Sequence, residues 1–216
     1  MLKALVIKEL RESAGIVALA VLGLAYALSG LTGMRLLPWQ GRNPYSYPFL
    51  NDSLSYYLWL CVGGLGIALA LKQSAWELNH GTFFFLLHRP ISRNRVFVSK
   101  LAVGFTCVLV TAAVLILLYA WWAAVPGNIP APFYWSMTVP AWQQWLVLPV
   151  VYFGAFLSGV RPGKWFGSRL IPLVGAICIA VLAANMPWLW LTLLESIVAI
   201  TVCTIAIFYY VRQRDY

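Results

Sequence analysis

Charged residues are scarce in this sequence. Asp, Glu, Lys and Arg together make up 10% of its 216 residues, and only six of them are acidic. These four residue types are the ones least often buried, so a soluble domain of this length carries many more of them on its surface. The shortage excludes an ordinary soluble enzyme or binding domain, and the mean hydropathy of +0.81 agrees with that exclusion.

Recognisable catalytic and metal-binding motifs are also missing. The two histidines, His80 and His88, form no HExxH motif, and the four cysteines show no CxxC spacing. There is no GxSxG nucleophile motif. Gly163-Lys164 is the nearest approach to a phosphate-binding loop, but Trp165 follows it where Ser or Thr is required. The sequence therefore predicts no catalytic residue, no metal ligand and no ATP site in this chain.

Long apolar runs dominate what is present. A helix needs about 20 apolar residues to cross the hydrocarbon core, at about 1.5 Å of rise per residue. Six runs of roughly that length occur, at residues 14–34, 56–71, 96–124, 144–160, 170–184 and 188–211. The sequence predicts an all-α, polytopic membrane protein with six transmembrane helices, forming a single domain over residues 1–216.

The basic residues are distributed unevenly over the predicted loops. The outer loops contain only Arg35 and Arg42. Twelve of the other thirteen Lys and Arg lie in the amino-terminal segment, the loop between spans two and three, the loop around Lys164, and the tail, and Lys100 lies at the inner end of span three. Cytoplasmic loops carry this excess of positive charge, so both termini are predicted in the cytoplasm and the protein in the inner membrane. Topology thus accounts for the net charge of +9, and no nucleic-acid partner is expected.

Residues 1–12 are predicted to form an amphipathic helix that lies along the inner membrane interface before the chain enters the membrane. Lys8, Arg11 and Glu12 lie on its polar side, while Glu9 interrupts the apolar side. A secretory signal is the competing interpretation, because residues 25–27 resemble a cleavage site. The apolar run continues past that point and the leading segment carries two acids, which disfavours a signal.

The loop at 72–95 combines charge with apolar bulk. Residues 83–87 are three Phe and two Leu, a block far too short to cross a bilayer. Gly81 and Pro90 set the edges of a short helix, and Thr82 is a suitable cap for it. Burying each of these side chains is worth roughly 1.5–3 kcal/mol, so the block needs a cover. It is predicted to dock on another protein or to be partly buried at the membrane interface.

Glu195 is the one ionisable residue clearly within a predicted span, and Lys100 lies near the inner end of another. Lys100, near the inner end of the third span, is expected to extend its ammonium group to the interface. Glu195 lies within the last span, where an exposed charge costs about 2.5–3.5 kcal/mol, so it should face protein or water. With Thr192 and Ala199 it forms a small or polar stripe. This stripe is a candidate lining of a translocation path, and the alternative is a structural carboxyl group that hydrogen-bonds between helices.

The segment from Glu77 to Leu101 resembles a known family. It carries, in order, Glu77, Gly81-Thr82, Leu86-Leu87, Pro90-Ile91-Ser92-Arg93 and Lys100-Leu101. This arrangement is similar to the loop between the second and third spans of ABC type-2 transporter permeases. Ile7-Lys8-Glu9-Leu10-Arg11 is also similar to the interfacial helix with which those permeases begin. The resemblance is specific over some twenty-five residues and general over the six spans.

The resemblance implies an export-type permease that moves a substrate across the cytoplasmic membrane. Its coupling helix, here residues 82–88, would seat in a groove of a separate ATPase subunit, which would bind the ATP and Mg. The residues that would contact this ATPase are Glu77, Gly81, Thr82, Phe83, Phe84, Leu87, Pro90 and Arg93. A second permease subunit, identical or paralogous, and membrane lipids are the other implied partners, and no cofactor is expected in this chain.

Two features depart from the family pattern. Three consecutive Phe, at 83–85, stand where those permeases carry a mixture of polar residues and Leu, and residues 185–187 leave no room for re-entrant helices between the last two spans. Two alternative functions stay open. One is a membrane-embedded enzyme, for which a nucleophile, a base and a metal site are all lacking; the other is a scaffold subunit that transports nothing.

Overall fold

The computed structural model describes residues 2–34, 47–50, 53–77, 93–129 and 132–213. Over these residues the chain is helical and contains no strand, and six helices are long and apolar enough to cross a bilayer. We label their α-helices α1 (Leu2–Thr32), α2 (Leu54–Trp76), α3 (Arg93–Ala124), α4 (Val139–Val160), α5 (Ile171–Ala184) and α6 (Leu189–Gln213). The fifth spanning segment, Gly167–Ala184, also includes part of the π-helical turn Trp165–Arg169 before α5. The prediction of an all-α chain with six spans is confirmed.

Helix α1 differs from the expected interfacial helix followed by a span. It runs without a break through 31 residues, which is about 46 Å, whereas the hydrocarbon core is about 30 Å thick. Its first turns are mostly Leu, Lys, Ala, Glu and Arg, which are good helix formers, together with Val6 and Ile7, and no Pro or Gly before Gly15 interrupts the helix. Residues 2–12 therefore continue the axis of the first span.

Helix α2 also extends beyond its apolar run. It contains two stretches of π-helical hydrogen bonding, Leu58–Gly63 and Lys72–Trp76, and the helix continues to Glu77. The helix thus extends six residues beyond the predicted span 56–71, and residues 78–80 lie outside the described residues. π-Helical turns are frequent at functional sites, and the second stretch leads directly into the candidate site.

Helix α4 is the centre of the bundle. Every residue from 147 to 160 is buried, and the helix packs against α2, α3, α5 and α6. Pro149 lies within it without ending it. A 3₁₀ turn, Trp135–Thr138, leads into this helix. By contrast, α5 and α6 each expose a row of large apolar side chains, as helices that face lipid do.

Glycines allow α4 to approach its neighbours closely. A Cβ added at Gly154 would lie 2.2 Å from the Cβ of Ala176 on α5, far inside van der Waals contact. Gly104 on α3 gives the same space to the ring of Tyr152, and Gly159 gives it to Ser74 of α2. Small residues at helix contacts are the usual means of close packing in membranes.

The two ends of the bundle differ in chemistry. At one end, Gln144 Nε2 donates a hydrogen bond to Ser55 Oγ at 2.5 Å, and Gln143 Nε2 donates to the carbonyl of Met186 at 2.9 Å. The other end carries the exposed cations Arg11 and Arg95. We call this second end the basic end.

Candidate functional site

A buried ion cluster joins three helices at the basic end. The Nζ of Lys100 on α3 lies 2.6 Å from Oε1 of Glu77 and 2.7 Å from Oε1 of Glu9 on α1. Lys100 is completely buried, and Glu9 and Glu77 are 2% and 7% exposed. The expectation that Lys100 extends to the interface is therefore wrong, because two carboxylates within the protein bind its ammonium group.

The register of two parallel helices places Glu9 opposite Lys100. Leu5 of α1 and Val96 of α3 are both buried and pack against each other. Four residues further along each helix, about one turn, come Glu9 and Lys100. An apolar contact on one turn thus fixes a charged contact on the next, and residues 91 apart in sequence meet.

Two neutral polar side chains connect this cluster to the central helix. Gln73 lies one turn before Glu77 in the π-helical part of α2, and its Nε2 lies 3.4 Å from Oε2 of Glu9. The hydroxyl of Tyr152 on α4 donates to Oε1 of Gln73 at 2.8 Å and also lies 3.2 Å from the carbonyl oxygen of Lys100. Both residues are buried, so these polar groups satisfy one another away from water.

Burial and charge act in opposite directions on Glu77. Burial raises the pKa of this carboxyl above the ordinary value of 4.5, while the Lys100 ammonium lowers it, and burial is the larger effect. The proximity of the Glu9 carboxylate adds to the rise in pKa. Glu77 thus retains its proton to a higher pH in the folded protein than an exposed glutamate does.

Two weaker contacts border the ion cluster. Lys8 and Glu12 form an ion pair of 3.5 Å, with side chains 38% and 42% exposed, and Lys72 Nζ donates to the backbone carbonyl of Glu12. The carboxylate oxygens of Glu9, Glu12 and Glu77 lie within 4.8 Å of one another. Since the Lys100 ammonium already stands between Glu9 and Glu77, we assign no metal to this cluster.

The structure describes only part of the expected ATPase-contact set. Glu77 is described, and its carboxylate binds Lys100 inside the protein. Arg93 is the first residue of α3, and its side chain lies outside the description. The rest of the set lies outside the described residues: Gly81, Thr82, Phe83, Phe84, Leu87 and Pro90. Their contact with a partner stays a prediction.

The stripe on α6 packs against the rest of the bundle. Thr192 is completely buried, and its Oγ1 donates to the carbonyl of Ala183 at 3.0 Å. Ala199 packs in an apolar cluster with residues of α4 and α5. Glu195 is half-buried and has no hydrogen-bond or ion-pair partner among the described residues. A role for these three residues in a translocation path stays a prediction.

Sequence reasoning missed the site formed by Glu9, Gln73, Lys100 and Tyr152. Two signals pointed to it: Glu9 interrupts an otherwise apolar helix face, and Lys100 lies inside an apolar run. A charge in an apolar setting needs a partner, so an acid and a base that both break the pattern are candidates for a pair. Neither Gln73 nor Tyr152 places a charge in an apolar setting, so the sequence does not mark either residue as part of the site.

Six apolar helices and a buried polar cluster at one end define a multi-pass, all-helical membrane protein. No protein-family model, curated protein or solved structure matches this chain. Its further classification rests on the residues and contacts described above.

Proposed function

We propose that this chain is the membrane-spanning permease subunit of an ATP-binding cassette exporter of the ABC type-2 kind. One observation carries the proposal: residues from both segments that resemble the family meet in the structure. Glu9 belongs to the opening segment, Glu77 begins the loop pattern, and Lys100 ends it. They form one buried ion cluster. Residues that matched the family pattern only by chance would not be expected to form one buried cluster.

The charge distribution supports a cytoplasmic basic end. Exposed cations lie there on several helices, including Arg11, Arg95 and Arg212. An excess of Lys and Arg is typical of the cytoplasmic side of a membrane protein. With this orientation both termini and the loop at 78–92 lie in the cytoplasm of a cell whose inner membrane holds the six spans.

The proposed mechanism gives the loop the role of a coupling element. Residues 83–87 seat in an apolar groove of a separate ATPase subunit, which binds the ATP and Mg. ATP binding closes two such ATPases on each other, and the seated loops pass that motion to α2 and α3 of two permease subunits, identical or paralogous. The substrate crosses the membrane as these helices move.

Purification of the tagged chain from its native host in mild detergent tests the proposal. We expect a protein that carries a Walker A motif and hydrolyses ATP to purify with it in stoichiometric amount. The double variant Phe83→Asp/Phe84→Asp should lose that protein, because two carboxylates do not enter an apolar groove. Phe83→Leu/Phe84→Leu, which keeps the apolar character, should retain it.

Membrane insertion and thermal stability of both variants should equal those of the wild type. Loss of the ATPase from the Asp variant would then be due to the docking surface and not to misfolding. Absence of an ATP-hydrolysing partner from the wild-type preparation, or its retention by the Asp variant, contradicts the proposal.

A further inference from the structure

We infer that Lys100 is a positioning residue that holds the two ends of the loop at 78–92 in a fixed relation to each other. We call the three residues Glu9, Glu77 and Lys100 the clamp. The inference deepens the proposed function and rests on it for the loop's role in docking. The geometry of the clamp itself is independent of that function.

The clamp spans the loop. Glu77 is the last described residue before it, and α3 begins after it at Arg93, with Lys100 two turns further on. The ion pair between Glu77 and Lys100 therefore joins residues 23 apart in sequence, one on each side of the loop. Moving one end of the loop away from the other would leave a buried charge without its partner, which is strongly unfavourable. The two ends are thus held together.

Glu9 brings a third helix into the same unit. The Lys100 ammonium binds its carboxylate at 2.7 Å, and Leu5 packs against Val96 one turn below. Gln73 supplies a second link, from α2 to Glu9. The basic ends of α1, α2 and α3 consequently move together.

The hydroxyl of Tyr152 connects this unit to the central helix. It donates to Gln73 of α2 and lies near the carbonyl of Lys100 on α3, while its own helix, α4, packs on α5 and α6 as well. Gly104 leaves the space that lets the ring reach this position. A displacement of the loop is thereby passed to the middle of the bundle through packed, hydrogen-bonded side chains.

Distances between spin labels test the clamp in the chain alone. Trp76 and Arg95 are exposed and flank the loop; each is replaced by Cys in a background where Cys61, Cys107, Cys178 and Cys203 are Ser. We expect one narrow distance distribution for the otherwise wild-type chain in nanodiscs. Lys100→Met should broaden it several-fold. Lys8→Met, which removes only a half-exposed ion pair, should leave it narrow.

A neutral variant separates positioning from stability. Glu9→Gln/Glu77→Gln/Lys100→Met removes all three charges together, so it leaves no buried charge unpaired and should fold. We expect its melting temperature to recover towards that of the wild type while its distance distribution stays broad. A narrow distribution in this variant, or in Lys100→Met, overturns the clamp.

Tyr152→Phe tests the link to α4 in the complex with the co-purifying ATPase. Labels on exposed Trp135 and Trp188, each changed to Cys in the same background, report the end opposite to the loop. Trapping with ADP and vanadate should shift their distance in the wild type, and the shift should be lost in Tyr152→Phe although the ATPase still binds. An unchanged shift overturns the link. If no ATPase purifies with the wild type, the proposed function fails while the clamp measurement still decides the clamp.

Discussion

The Nζ of Lys100 lies 2.6 Å from Oε1 of Glu77, and neither side chain is more than 9% exposed. An ion pair this deeply buried adds little to stability compared with an apolar pair of the same shape, because both ions lose their water. Removal of one partner is strongly destabilising, because the remaining charge stays buried without its counterion. The pair therefore acts chiefly by restricting how α2 and α3 are arranged.

Lys100→Met should be strongly destabilising. It leaves two buried carboxylates, Glu9 and Glu77, without their cation, at a cost of about 3–5 kcal/mol for breaking a buried pair. The melting temperature of the detergent-solubilised chain, followed by intrinsic Trp fluorescence, measures the effect. Lys8→Met is the matched control, because its half-exposed pair with Glu12 is worth about 0–1 kcal/mol. Equal losses in the two variants would show that Lys100 is not buried among carboxylates.

Stability should fall as pH rises from the ordinary glutamate pKa of 4.5 through the raised pKa of Glu77. Burial raises the pKa of Glu77 above that ordinary value, so the folded protein keeps a proton that the unfolded chain has released. Where the native state binds more protons, the free energy of unfolding decreases with rising pH. The contribution of Glu77 is thus largest below 4.5 and is lost as pH passes through the raised pKa.

Melting curves of the wild type and of Glu77→Gln between pH 4 and 8 measure this contribution. Glu77→Gln should lose the part of the pH dependence that Glu77 causes, so its melting temperature should vary less with pH than that of the wild type. Glu12→Gln, which alters a carboxylate 42% exposed, serves as the control and should follow the wild type. A pH dependence in Glu77→Gln as steep as that of the wild type contradicts the prediction.

The spans could be predicted from the sequence, whereas for the ion cluster the sequence only marked Glu9 and Lys100 as charges that need partners and did not show that they bind each other. Hydropathy locates a span because each residue contributes its own transfer free energy, whatever its neighbours in space are. The meeting of Glu9 and Lys100, 91 residues apart, depends on which faces of two helices pack together. A single sequence does not show directly which faces of two helices pack together.

Helix α1 shows a second limit of prediction from the sequence. Its polar residues, Lys8, Arg11 and Glu12, predicted a helix lying flat at the interface, since amphipathic segments do so. In the structure Glu9 on the opposite side is buried against α3, and this contact holds residues 2–12 in line with the span. The amphipathic pattern was present, but a tertiary contact determined the direction of the helix.

Thr192→Val should destabilise the contact between α5 and α6. The Thr192 hydroxyl is buried and donates to the carbonyl of Ala183 near the end of α5. That carbonyl also accepts the N–H of Met186, so the substitution removes one hydrogen bond between the helices, at a cost of about 0.5–1.5 kcal/mol. Thr201→Val is the control, because Thr201 is exposed and donates only within its own helix, to Ile197. We expect a lower melting temperature for the first variant and no measurable change for the second. A similar result for both would mean that Thr192 does not bridge the two helices.

Gly154→Ala should disrupt the packing of α4 on α5, and Gly175→Ala should not. The added methyl at Gly154 would lie 2.2 Å from the Cβ of Ala176 and 3.0 Å from the carbonyl oxygen of Pro172. None of these atoms belongs to a flexible side chain, so the helices must separate, at a cost of about 1–3 kcal/mol for overpacking. At Gly175 no atom lies within 4 Å of the added methyl, and Ala favours a helix by up to about 1 kcal/mol over Gly. The melting temperature should therefore fall for Gly154→Ala and rise for Gly175→Ala, although the two substitutions are chemically identical. An equally large fall in melting temperature for both variants would mean that α4 and α5 do not make their close contact at Gly154.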